Sequence, residues 1–124
     1  MGESHKAIAY YEQALKIDRA VFDDNQPKVA EGLNNLGAAW QTLGEHQKAI
    51  AYYEQALNID HAVFGDSHPD VARDLNSLGS AYFALGQKEQ AKKYFQEAYA
   101  IFIQFFGPEH PHTKTVAAWL AKFE

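Results

Sequence analysis

From Lys28 onward the apolar residues Leu33, Leu36, Trp40 and Leu43 recur at intervals of three and four, so they share one face of an α-helix. Gly44 supplies a stop. A second apolar face follows from about His46 to Phe64, with Ala49, Tyr53, Ala56, Leu57 and Val63 turned inward and Gly65 closing it. The same rhythm returns near Asp70–Leu85 and Lys88–Phe106. Pro27 and Pro69 suit a first helical turn, where a missing N–H costs nothing, and they push Gln26 and His68 out of the α region, as cap positions require. At the two ends, residues 3–22 read as a lone helix of the second kind and His112–Phe123 as a lone helix of the first kind. The pattern predicts an all-α chain of about six antiparallel helices.

Self-comparison shows why the rhythm returns. Phe22, Phe64 and Phe106 lie 42 residues apart, as do Pro27, Pro69 and Pro111, and Ala7, Ala49 and Ala91. The decapeptide KAIAYYEQAL occurs verbatim at Lys6–Leu15 and at Lys48–Leu57. A fixed period of this length marks stacked structural repeats, and it spans nearly the whole chain. The expected organisation of residues 1–124 is therefore one array. Residues 2–22 form a half repeat with the second helix only, 23–64 and 65–106 are full repeats, and 107–124 are a capping or half-repeat helix.

Leu33-x-x-Leu36-Gly37-x-x-Trp40, followed by Ala49-x-x-x-Tyr53 and Ala56, resembles the tetratricopeptide repeat, and Leu75-x-x-Leu78-Gly79-x-x-Tyr82 with Ala91, Phe95 and Ala98 repeats the match. The unit is longer than the familiar 34 residues, and His61 and Ile103 stand where a proline usually ends the second helix. Long second helices, the HP dipeptide and LNNLG together look like the kinesin-light-chain type of this repeat. The resemblance implies a right-handed α-solenoid whose first helices line a concave groove. It also implies a protein–protein interaction scaffold that receives a peptide segment of a partner.

Opposite the Leu33/Leu36/Trp40 stripe, the helical wheel places Glu31, Asn34, Asn35, Ala38, Gln41 and Thr42 toward that groove. In the next unit it places Arg73, Asn76, Ser77, Ser80, Phe83 and Ala84 there. Amides and hydroxyls at such positions can bond the backbone of an extended peptide, since an asparagine both donates and accepts. The resemblance assigns that work to Asn35 and partly to Ser77; the expected groove contacts are Asn34, Asn35, Asn76 and Ser77 as hydrogen-bonding groups, Arg73 as the charged contact and Phe83 as the apolar one. Glu31 opposes Arg73, which does not suit the carboxylate-gripping variety of the family.

Composition removes other classes. A net charge of −5 lacks the basic excess that phosphate backbones require, so neither nucleic acid nor an anionic membrane is an expected partner. No run approaches the roughly 18 apolar residues of a membrane span, and a cytoplasmic location is the matching expectation. Cysteine is absent, which excludes thiolate metal sites. His110 and His112 around a proline are half a metal site at most, and the recurrence of Gln26, His68 and His110 at the period points to capping instead. Asp18 and Asp60 sit a whole repeat apart on otherwise apolar faces and are read as structural, each bonding a nearby helix N-terminus. No phosphate loop or nucleophile elbow is present, so neither catalysis nor a cofactor is expected.

The ends carry a second expectation. The surface around Ala7, Tyr10, Tyr11 and Ala14 has no first helix before it, and the last helix carries a rotated stripe of Val116, Trp119, Leu120 and Phe123. A diverged last helix ordinarily caps the core. The competing reading is head-to-tail self-association, with Tyr10 and Tyr11 on one side and Trp119 and Phe123 on the other, giving a homo-oligomer through the end helices.

Overall fold

The computed structural model describes residues 2–21 and 26–123, and Phe22, one of the recurrent aromatics, lies outside them. Among the described residues six helices follow in order: α1 Gly2–Val21, α2 Pro27–Thr42, α3 His46–Phe64, α4 Pro69–Ala84, α5 Lys88–Phe106 and α6 Pro111–Ala121. Each packs on the next in the chain, which is the nearest-neighbour architecture of an all-α helical repeat solenoid. No described helix is long and apolar enough to cross a membrane.

Local chemistry sets the limits of the helices. Pro27, Pro69 and Pro111 occupy first turns behind extended Gln26, His68 and His110. His68 Nδ1 accepts from the Asp70 N–H at 3.0 Å, and His110 Nδ1 accepts from the His112 N–H at 3.1 Å, so each histidine satisfies a donor the helix leaves open. Phe64 stacks on His68 at 3.7 Å and Phe106 on His110 at 4.1 Å, which ties the end of each second helix to the start of the following first helix. Gly65 and Gly107 close α3 and α5 with φ of 86° and 81°, a region that side chains with a Cβ rarely adopt.

Small residues set the spacing within each pair. A Cβ on Gly37 would lie 2.6 Å from Cε1 of Tyr53, and one on Gly79 would lie 2.7 Å from Cε1 of Phe95. Aromatic rings of α3 and α5 therefore lie directly on the backbones of α2 and α4. Ala49, Ala56, Ala91 and Ala98 are fully buried in the same seams. Around them Val29, Leu33 and Leu36 fill the first half of the core, and Val71, Leu75, Phe95 and Val116 fill the second. Close approach with near-complete burial is the source of stability here, because isolated helices of this length are marginal in water.

Candidate peptide-binding groove

The first helices α2 and α4 touch one another, whereas the second helices α1, α3 and α5 make no comparable mutual contact. The surface shared by α2, α4 and α6 is thus the narrow side of the stack. On α2 its exposed stripe is Lys28, Glu31, Asn35, Ala38 and Thr42, and on α4 the same positions, Asp70, Arg73, Ser77 and Ser80, are half-buried, with Ala84 exposed.

The expected groove residues divide on inspection. Glu31, Asn35 and Ala38 are exposed on that side, and Asn35 and Ala38 line a shallow cleft against α1. Asn34 departs from expectation: it is buried, its amide donating to Asp74 Oδ1 at 2.9 Å and to Ser77 Oγ at 3.2 Å. Its neighbour Asn35 is rotated by the helical 100° per residue, enough to move a side chain from the surface to the α2–α4 seam. Gln41 also works inside the molecule, donating to Ser80 Oγ at 2.8 Å and accepting from the Tyr53 hydroxyl at 2.8 Å. Ser77 and Ser80 are consumed in these bonds.

Behind the seam stands a charged cluster. Asp60 and Asp74 are both fully buried, and Arg73 Nη2 reaches Asp60 Oδ2 at 3.3 Å and Asp74 Oδ1 at 3.4 Å. The expectation that Asp60 bonds a helix N-terminus is thereby corrected; its partners are Arg73 and Asp74 on α4. Burial, together with the hydrogen bond to Asp60, pushes the Asp74 carboxyl up to about 9, with Arg73 acting in the opposite direction. At neutral pH Asp74 therefore keeps its proton and shares it with Asp60, a pairing of neighbouring carboxylates that avoids two like charges at one buried spot. Arg73 lies against both carboxyls. Asp74 was not singled out from the sequence. The available signal was a lone carboxylate at a position held by Gly32 in the unit before and by Val116 in the unit after.

One repeat further on, the same geometry has different side chains. For Asn76, the counterpart of Asn34, the positions equivalent to Asp74 and Ser77 are Val116 and Trp119, and its buried Oδ1 has no partner. Arg73 Nε likewise has none. Both residues line a cleft of about 320 Å³ with Asp70, Phe102, His112 and Thr115, between α4 and α6. The expected apolar groove contact, Phe83, is half-buried: Trp119 of α6 at 5.3 Å and Phe123 just beyond α6 at 5.8 Å pack edge to face against it. Trp119 also stacks on Phe95 at 5.0 Å. Trp119 and Phe123 are thus half-buried, packed against the second core. At the other end Tyr10 is 70% exposed, whereas Tyr11 is half-buried against the first core.

Comparison with known proteins places this arrangement. A tetratricopeptide repeat family model matches residues 1–60 and 29–104. No curated protein sequence matches the chain. Among solved structures, BtubC (BKLC) from P. vanneervenii superposes with a TM-score of 0.87 at 27% identity, covering 98% of this chain and 48% of that one. The nearly identical TPR-like repeats of a kinesin-light-chain-type protein from Podosopora anserina give 0.88 at 26% identity, covering 98% and 57%. The TPR domain of Arabidopsis FLU gives 0.68 at 26% identity, with 79% of each chain covered. This chain spans about half the length of the first two. It belongs to the tetratricopeptide repeat family, and its repeats are of the kinesin-light-chain-like type.

Proposed function

We propose that this tetratricopeptide array is a protein-interaction scaffold that holds a peptide segment of its partner in the cleft between α4 and α6. Scaffolding is the general role of the family. The observation that supports a site at this place is the contrast between two equivalent asparagines. Asn34 spends its amide inside the molecule, while Asn76 lines a cleft and its buried Oδ1 has no partner. A buried amide oxygen without a partner favours a ligand whose binding brings it a donor, since the unmade bond costs roughly 1–3 kcal/mol. A peptide backbone offers the donors and acceptors that Asn76 and Arg73 Nε lack, and Phe102 and His112 give it an apolar and aromatic wall. Because Arg73 is already neutralised from behind by Asp60 and Asp74, the cleft selects for backbone shape more than for acidic side chains. Asn35, exposed on α2, extends the same line of polar groups.

The test is capture from an array of short random peptides by the wild type, by Asn76→Ala and by Asn35→Ala. Asn76→Ala should lower capture of the selected peptides by about tenfold, the loss of one or two hydrogen bonds, at an unchanged melting temperature. Equal capture by wild type and Asn76→Ala removes this cleft as the site.

A further inference from the structure

The cleft between α4 and α6 has a counterpart one repeat earlier, and the counterpart is filled from within. Where α2, α3 and α4 meet, Arg73 crosses from α4 to the buried Asp60 of α3, with its Nη2 at 3.3 Å from Asp60 Oδ2. Forty-two residues on, Thr115 stands in place of Arg73 and Phe102 in place of Asp60. Threonine is too short to make that crossing, and the Thr115 hydroxyl turns back to the Pro111 carbonyl of its own helix at 2.9 Å. The exchange leaves about 320 Å³ open where the earlier junction holds a guanidinium.

The chemistry of the walls narrows what fills this space. Phe102, only 4% exposed, and His112 bring aromatic rings to it, with centroids 5.4 Å apart and planes tilted by 32°. A flat cation is attracted to such faces. Asn76 Oδ1 is a buried acceptor that lacks a donor. Asp70 lines the cleft as well, and the guanidinium already there, that of Arg73, is paired with Asp60 and Asp74.

We infer, on the reading of this cleft as a peptide site, that it takes an arginine side chain of the partner segment, in the place that Arg73 holds one repeat earlier. The guanidinium lies against Phe102 and His112 and donates to Asn76 Oδ1. Lysine brings donors but no flat face. Leucine fills volume and leaves Asn76 Oδ1 unmatched. A carboxylate offers Asn76 no donor and meets Asp70. The net charge of −5 favours the approach of a basic segment.

N-acetylarginine methylamide, titrated into the isotopically labelled intact chain and followed by NMR, tests this assignment, with the lysine, leucine and glutamate analogues in parallel. Saturable shifts of the Asn76 side-chain amide are expected with the arginine probe, and affinities lower by about tenfold or more with the other three. Thr115→Arg supplies a guanidinium from α6 and should abolish saturation by filling the cleft from within. Thr115 is exposed, so circular dichroism of this variant should match the wild type. Absence of saturation with the arginine probe overturns the inference, as does equal or tighter binding of the lysine or leucine probe, or undiminished binding to Thr115→Arg. The peptide site itself is judged separately, by capture of array peptides. Peptides that are lost by Asn76→Ala, yet bind equally well after their arginines are replaced by leucine, keep the site and overturn its arginine preference.

Discussion

The two junctions between successive units are built on one backbone plan with opposite chemistries. Between α2 and α4 the contacts are polar, Asn34 to Asp74 and Ser77 and Gln41 to Ser80, and behind them Arg73 of α4 reaches Asp60 of α3 and its own neighbour Asp74. Forty-two residues later Asp60 becomes Phe102, Asp74 becomes Val116, Gln41 becomes Phe83 and Ser77 becomes Trp119. The second junction is accordingly aromatic, with Trp119 between Phe83 and Phe95 and with Val116 fully buried. Directional bonds specify how one repeat sits on another, because they are made only at one rotation and register. A cap needs no such selectivity and gains more from area, since burial of an aromatic ring outweighs a net hydrogen bond several times over. The orphaned Asn76 amide arises from this change of chemistry, since its polar partners were exchanged and it was not.

Three measurements sharpen that contrast. Trp119→Ala should destabilise the fold by about 3 kcal/mol, read as a fall in the urea midpoint, because it removes a stacked ring from the second core. A loss below about 1 kcal/mol would show that α6 contributes little to this core.

The buried carboxyl pair gives the next effect. Asp74 holds its proton up to about pH 9 in the fold but only to about pH 4 when unfolded, so between these limits the folded state binds more protons. Stability from this group is complete below about pH 4, declines as pH rises, and is lost by about pH 9, with a slope bounded by roughly 1.4 kcal/mol per pH unit. Asp74→Asn keeps the shape and removes the proton, so its stability relative to wild type should rise steadily from pH 5 to pH 8 in thermal melts. A difference that is constant across that range would mean that Asp74 is ionised in the fold.

The smallest effect is the Gln41–Ser80 bond. A double-mutant cycle with Gln41→Ala and Ser80→Ala should yield a coupling of about 0.5–1.5 kcal/mol. Additive losses would mean that this bond does not set the register.

Much of the fold was legible in the residues. Pro27, Pro69 and Pro111 and the glycines at 65 and 107 mark helix limits by purely local sterics, and the 3.6-residue stripes give each helix its inner face. The site was less legible. A helical wheel separates inward from outward but cannot distinguish a side chain facing solvent from one facing the neighbouring first helix, which is how Asn34 and Phe83 came to be expected in an open groove. Asp60 and Asp74 stand on different helices, and nothing in either local pattern shows that their carboxyls meet.

The sequence by itself determined the period, the helix limits and the small residues that allow close packing, because each depends on contacts within a helix or on an exact repeat of letters. Only the tertiary structure decided which polar groups are spent between repeats and which are left over. That outcome depends on the rotation of one unit against the next, where a turn of 100° exchanges a buried partner for open solvent.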